Sequence, residues 1–299
     1  MVVNKALIFG ITGQDGSFLA DILKVKGYEV HGVVRSSASV TSRFIHCCND
    51  KQVHQLIDEL RPTEIYNLAG LTNTFNPYAD IPKTIELNLT LPVNILSAIY
   101  NIDKTIKFFQ ASSVLMSGNA DGSPTYPYGI TKLAAHNFVK LYRDLGLFAC
   151  AGIFYPHESE RRGTGFLSKK VCSTIARIKL GSTEKLELGD LNQHRDWGYA
   201  KDYMEAVHLM MCTETPKDYV IGSGILTKTE DFVRYAFEYA SLKFEDHVVQ
   251  DTAQFRQKDF VIQQADIKEI TADLNWTPTK TVHDIIQIMI DWELNNINK

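Results

Sequence analysis

Apolar positions along this chain recur at two spacings, and their alternation lays out strands and helices in turn. Lys5 to Phe9 is a short apolar, β-favouring run and reads as a strand. From about Ser17 to Lys26, the residues Phe18, Leu19, Ile22 and Leu23 recur at helical spacing. Glu29 to Val34 is a second strand. The same logic predicts a helix over Gln52 to Leu60, a strand over Thr63 to Leu68 and a long amphipathic helix over Ile81 to Tyr100. Lys107 to Ala111 is the next strand, a helix continues from Tyr128 to about Leu145, and Leu147 to Phe154 is a strand again. Strand and helix in regular alternation predict an α/β fold with a doubly wound parallel sheet.

After Tyr155 the alternation breaks down. Pro156 to Gly163 is a polar loop, and helices follow over Phe166 to Leu180, Ala200 to Met211, Thr229 to Tyr239 and Val282 to Leu294. The expected organisation is a doubly wound domain over 1–155 and a smaller, mixed α/β region over 156–299, with some of the latter's strands returning to the sheet.

Composition narrows the class. The 299 residues are 44% hydrophobic and 22% charged, ordinary values for a globular chain with a large core. A net charge of -4 argues against a nucleic-acid binder. Met1 to Lys5 shows no signal-peptide pattern, and the apolar runs are too short to span a bilayer, so a cytoplasmic protein off the membrane is expected. Cys47, Cys48, Cys150, Cys172 and Cys212 are odd in number and lack C-x-x-C spacing. Reduced thiols are the expectation, and no metal site.

The first strand runs into Gly10-Ile11-Thr12-Gly13-Gln14-Asp15-Gly16, and the first helix follows. Glycines at such a turn let the backbone approach a pyrophosphate resting on the helix N-terminus. Gly10, Thr12, Gly13, Gln14, Asp15 and Gly16 are therefore candidate cofactor residues, and the sheet is expected to be of Rossmann type. The second strand ends in Val34-Arg35-Ser36 without the acidic residue that would bind the ribose of NAD. Arg35 suits a 2′-phosphate or an adenine stack, Ser36 lies beside it, and NAD and NADP both stay open. Small residues after the strand at 63–68, in Leu68-Ala69-Gly70, allow close approach to the same cofactor.

Tyr128 and Lys132 stand four residues apart on a predicted helix and so share a face. A nearby ammonium favours the phenolate, which lets a tyrosine accept a hydroxyl proton near neutral pH. In isolation this spacing is more often a surface pair. Here it follows the glycine turn and a Ser at a strand end, Ser113.

That combination resembles the extended short-chain dehydrogenase/reductase superfamily. Finer matches resemble its GDP-mannose 4,6-dehydratase branch: Gly10 to Ser17, Arg61 to Leu68, His157-Glu158-Ser159, Arg161-Arg162-Gly163, Arg195 to Gly198 and Ala200 to Tyr203. The resemblance covers nearly the whole chain. It implies a tightly bound nicotinamide cofactor and a nucleotide-sugar substrate. Tyr128 would take the proton of the sugar 4-hydroxyl, Lys132 would lower the Tyr128 pKa and hold the nicotinamide ribose, and Ser113 would hydrogen-bond the same sugar oxygen. The resemblance places Arg195 and Arg256 at the diphosphate and nucleotide, with Lys169 or Lys170, His157 and Glu158 as further substrate contacts. Glu158 with Arg161 is equally readable as a structural ion pair. A homo-oligomer is implied as well.

Several positions depart from the family pattern. Leu115 occupies the place of the Glu that removes the C5 proton and helps expel the C6 hydroxyl. Leucine transfers no proton, and loss of a general acid/base typically costs a factor of about 10²–10⁴. Pro156 replaces an Asn, and Ser36 a second Arg. The chain passes almost directly from Ile45 to Gln52, where the family has another strand, and Gly118 to Pro127 is short. The expectation is oxidation at C4 of a GDP-linked mannose-type hexose or heptose, ending at the 4-keto sugar. Oxidised cofactor would return by exchange or by passing hydride to a second, small keto substrate. The alternatives are a retained 4,6-dehydratase and a 4-keto-sugar reductase or epimerase. A non-catalytic nucleotide-binding regulator is a third class, against which Tyr128, Lys132 and Ser113 together weigh.

Overall fold

A computed structural model describes residues 4–34, 45–47, 52–72, 78–118, 126–251 and 264–297. In chain order it contains β1 (Lys5–Phe9), α1 (Gln14–Val25), β2 (Glu29–Val34), β3 (Ile45–Cys47), α2 (Val53–Leu60), β4 (Glu64–Asn67), α3 (Ile81–Ile85), α4 (Leu91–Ile102), β5 (Lys107–Ser113), α5 (Pro127–Asp144) and β6 (Ala149–Phe154). There follow β7 (His157–Glu158), α6 (Leu167–Lys179), β8 (Leu186–Leu188), β9 (His194–Asp196), β10 (Gly198–Tyr199), α7 (Ala200–Met211) and β11 (Tyr219–Ile221). The remainder is β12 (Leu226–Lys228), α8 (Thr229–Tyr239), α9 (Phe244–His247), β13 (Val248–Gln250), α10 (Lys268–Leu274) and α11 (Val282–Asn296).

Seven strands make one sheet in the order β11-β6-β5-β4-β1-β2-β3. Every neighbouring pair in it is parallel. Parallel strands need cover on both faces, and β1, β2, β4 and β5 are buried almost throughout. On one face Leu7, Phe9, Ile65 and Phe108 share a core with Ile57 of α2, Ile95 and Ile99 of α4 and Val139 of α5. The strand order reverses between β1 and β4, the place where an open α/β sheet leaves a crevice beyond the strand ends.

The chain divides into two compact units. The first takes Met1–Phe154, Met204–Ile221 and Ala272–Asn275, and contains the sheet. The second takes Tyr155–Tyr203, Gly222–Thr271 and Trp276–Lys299. In the second, β7 pairs with β10, β9 with β12 and β8 with β13, while α11 packs on α6 and α8. No helix among the described residues is long and apolar enough to cross a membrane.

The structure corrects three expectations. The helix foreseen over Ile81 to Tyr100 is interrupted by a π-helical turn, Glu86–Thr90, between α3 and α4. Pro92 has no N–H to give the carbonyl four residues back, that of Asn88, so the ladder cannot keep its α register there. The strand thought missing between Ile45 and Gln52 is present as the three residues of β3, paired with β2. His46 of β3 stacks on His31 of β2, with 2.9 Å between their ring nitrogens. Finally, the supposed polar loop after Tyr155 buries His157 and Glu158 in a short strand pair.

Candidate active site

The glycine turn sits at the reversal point of the sheet. Gly10 has φ +83, a backbone state that L side chains rarely adopt, and a Cβ there would lie 2.8 Å from the Ala69 nitrogen. The turn therefore packs directly on the exit of β4, at Leu68 and Ala69. A Cβ on Gly16 would lie 2.2 Å from the Gly10 carbonyl oxygen. Gly13 differs, because its Cβ would meet only that oxygen, at 3.3 Å. It is exposed, and as the N-cap of α1 it supplies no side chain to the first turn. Thr12 is exposed, and Gln14 and Asp15 are half-buried, with Gln14 Nε2 donating to Asp15 Oδ1 at 3.2 Å. A helix N-terminus left open beside glycines has the form of a phosphate cradle. Arg35 and Ser36 lie outside the described residues.

The Tyr128–Lys132 pair forms on α5 as its spacing predicts. Lys132 is buried, and its Nζ lies 5.8 Å from the centre of the Tyr128 ring. That Nζ donates to the Ala111 carbonyl at 2.7 Å, which ties the helix to β5. Burial pushes the Lys132 ammonium down to about 8, and the Asp15 carboxylate opposes the fall. Ser113 closes β5, buried, and its Oγ accepts from the Leu115 N–H at 3.2 Å. Leu115 is half-buried in the 3-10 turn Val114–Ser117 that follows. The first unit thus brings the glycine turn, Lys132 and the end of β5 together.

Sequence reasoning missed Asn88. Within the π turn its Oδ1 accepts from Leu71 N at 2.8 Å and its Nδ2 donates to Leu71 O at 3.1 Å. It therefore holds the chain just past Gly70, where a Cβ would come within 3.4 Å of Lys132 Nζ. An Asn at helical spacing from Leu91, Pro92 and Ile95 was the available signal.

In the second unit, His157 Nδ1 donates to Tyr155 O at 2.8 Å, and its ring packs on Tyr203. Glu158 accepts from Ser168 Oγ and faces Arg162 Nε at 3.0 Å, so its ion-pair partner is Arg162 and not Arg161. Lys170 is exposed and donates to Glu187 O at 2.6 Å, while Lys169 is buried, ion-paired to Glu293 and 4.2 Å from the Trp292 ring centre. Arg195 is half-buried on β9 opposite Thr227 of β12. Arg256 lies outside the described residues.

The family model described as GDP-mannose 4,6 dehydratase matches residues 7–289. This chain belongs to the GDP-mannose 4,6-dehydratase family. GDP-mannose 4,6 dehydratase 2 of Arabidopsis thaliana is 35% identical over 322 residues, covering 97% of this chain and 86% of the plant protein. The Homo sapiens GDP-mannose 4,6 dehydratase is 34% identical over 346 residues, covering 99% and 93%. Both alignments are longer than the 299-residue chain, so these relatives carry residues without a counterpart here. The fold is shared more widely. MoeE5 in complex with UDP-glucose and NAD superposes with a TM-score of 0.87 at 20% identity, covering 98% of this chain and 100% of that one. RMD from Pseudomonas aeruginosa complexed with NADPH gives 0.82 at 19%, covering 98% and 99%. The chain is an enzyme of the dehydratase family.

Proposed function

We propose that this family member oxidises C4 of a GDP-linked, mannose-type sugar with a tightly held nicotinamide cofactor, NAD or NADP. The observation that carries the reading is the Tyr128–Lys132 pair on α5 beside the Ser113 end of β5. Support for the cofactor comes from the glycine turn, whose Gly13 leaves the head of α1 open, and from the NAD and NADPH in similar folds. Support for the GDP-sugar comes from the names of the full-length relatives.

The cofactor, when bound, supplies the hydride acceptor. Tyr128 takes the proton of the C4 hydroxyl as its base. Lys132 favours the phenolate by its positive charge and would hold the nicotinamide ribose. Ser113 donates to the reacting oxygen. Gly10, Thr12, Gly13, Gln14, Asp15 and Gly16 would hold the pyrophosphate end, with Leu68, Ala69 and Gly70 along the β4 exit, and Arg35 and Ser36 would meet the adenosine. For the nucleotide half of the substrate, Arg195 and Arg256 would pair with phosphate oxygens, whose geometry suits guanidinium forks. His157, Glu158 and Lys170 line that region in this reading, Glu158 by holding Arg162.

Two outcomes follow C4 oxidation. The names of the relatives favour loss of water, giving a 6-deoxy-4-keto sugar, and the comparisons weigh more on that side. Leu115 is the specific observation for the other, arrest at the 4-keto sugar, with hydride passed on to a second small keto compound. One experiment separates them: incubation with GDP-mannose and C6-extended analogues in heavy water. A 6-deoxy product labelled from solvent establishes the dehydratase. A 4-keto sugar with its C6 hydroxyl intact, and reduced cofactor, establishes the dehydrogenase. Finding no hydride transfer and no bound nicotinamide would overturn the redox reading altogether.

A further inference from the structure

The buried face of α5 carries more than the Tyr128–Lys132 pair. One turn beyond Lys132 stands His136, 3% exposed. Its Nδ1 lies 3.3 Å from Ser112 Oγ of β5, and its Nε2 lies 3.7 Å from Asp218 Oδ2. The Asp218 carboxylate also accepts from Ala151 N at 2.7 Å and from the Arg143 guanidinium, whose Nε donates to Ala149 O at 2.7 Å. Burial holds the His136 imidazole below its ordinary range, with Asp218 opposing and Lys140 and Arg143 adding to the fall. A neutral ring that donates Nε2–H toward Asp218 accepts the Ser112 hydroxyl at Nδ1.

Ser, His and Asp in this order have the polarity of a hydrolase triad, but Ser112 is 3% exposed and lies within β5, paired to Ile153 of β6. No substrate reaches it, so the chain of contacts acts on position. Consecutive residues of β5 are each tied down. Ala111 accepts from Lys132, Ser112 meets His136, and Ser113 holds the turn at Leu115. The strand bearing Ser113 and the helix bearing Tyr128 are thus locked by polar contacts on a packed apolar interface, where small displacements are resisted.

We propose that His136, held between Ser112 and the Asp218 carboxylate, is a positioning residue that sets the Tyr128–Lys132 helix against the strand carrying Ser113. The proposal rests on the reading of Tyr128 as the base. Loss of the His136 contacts frees α5 to shift on β5, lengthens Lys132 to Ala111 and draws the ammonium away from the phenol. The Tyr128 phenol then ionises at higher pH.

The test uses the full-length protein and the variants H136F, H136Q and S112A. Gln keeps an oxygen for Ser112 and an N–H for Asp218. Ultraviolet difference titration of each cofactor-free protein, against the same protein carrying Y128F, isolates the Tyr128 phenol. H136F is expected to raise its midpoint by about one pH unit, S112A by less, and H136Q hardly at all. For GDP-mannose, H136F should lower kcat about tenfold with KM within about twofold. A merely structural His136 would lower Tm in H136F while leaving the Tyr128 midpoint in both H136F and S112A at the wild-type value, and that result overturns the proposal. If H136F fails to fold, S112A decides by the same midpoint. If the wild type transfers no hydride from GDP-mannose, the functional reading fails while the phenol titration still decides the role of His136.

Discussion

Lys132 Nζ donates a 2.7 Å hydrogen bond to the carbonyl oxygen of Ala111. The contact joins the helix that carries the phenol to the strand that ends in Ser113, and it is made by a side chain with almost no access to water. A buried ammonium with a carbonyl for a partner and a carboxylate, Asp15, close enough to act on it is charged only conditionally. The chemistry of Tyr128 depends on that condition.

The first prediction concerns pH. Burial lowers the Lys132 pKa to about 8 in the cofactor-free protein, so its charge fades as pH rises through that value. Its support of the Tyr128 phenolate fades with it. The sign for stability is the reverse. Between about 8 and the ordinary lysine value of 10.5 the unfolded chain binds more protons at this group than the folded one. The penalty for folding with a buried charge is complete below that window and gone above it. Asp15 raises the pKa, so D15N should move the midpoint below that of the wild type. Nitrogen NMR of the lysine side chain checks both values, and a midpoint unmoved by D15N would remove Asp15 from the account. K132M should lower hydride transfer about a hundredfold or more.

The second prediction separates two kinds of glycine. Gly16→Ala drives a Cβ to 2.2 Å from the Gly10 carbonyl oxygen, which is backbone and cannot step aside. A cost of about 1–3 kcal/mol in stability is expected, read as a lower midpoint in urea. Gly13→Ala meets one atom at 3.3 Å and should unfold near the wild type. Its effect falls on ligand binding, because the new methyl intrudes at the exposed head of α1. Calorimetry with NAD and NADP should show weaker binding in G13A despite a nearly unchanged urea midpoint.

The third prediction uses Leu115. If Leu115 occupies the position of the proton-transferring carboxylate, L115E should raise the yield of solvent-labelled 6-deoxy product by a factor of about 10²–10⁴ over the wild type. Mass spectrometry of the product counts the label. Equal yields from wild type and L115E would mean that another group already performs the elimination.

These expectations show which parts of the molecule were readable from the sequence. The parallel sheet was, because strands buried on both faces leave apolar runs, and β1 and β2 begin and end where those runs do. The Tyr128–Lys132 pair was, because helical geometry fixes which residues share a face. The break at Glu86–Thr90 was not, since a π turn has no periodicity of its own, and Pro92, which a helix tolerates in its first turn, does not by itself say which register the ladder takes before it. The second unit was harder still, as strands of two or three residues, such as β7, β9 and β10, are too short to display a period of two. Neighbouring charges were equally opaque. Lys169 is buried and Lys170 exposed because Glu293, far along the chain, meets the first of them.

The last prediction concerns Asp196, which sequence reasoning placed only as part of a motif. Its carboxylate is fully buried and accepts four hydrogen bonds, from Ser223 N and Oγ at 2.7 Å, Gly224 N at 2.9 Å and Ala265 N at 3.0 Å. It joins β9 to the turn before β12 and to the chain at Ala265. Asp196→Ala removes every acceptor at once and leaves the three backbone N–H groups without it, each worth about 1–3 kcal/mol when unsatisfied in the interior. A loss of about 3 kcal/mol or more is expected. Asp196→Asn keeps the volume, but only one of its terminal atoms accepts, so donors at the other oxygen face an N–H instead. It should recover little of the loss. Arg195 is the adjacent residue on β9 and pairs across to Thr227 of β12, so loosening this turn also displaces the guanidinium assigned to the diphosphate. Thermal unfolding and GDP titration together make the test. Both variants should melt earlier and bind GDP more weakly, whereas S223A, losing one hydroxyl donor, should do neither strongly. A D196N protein that melts and binds like the wild type would show that the carboxylate charge is not what holds Arg195 in place.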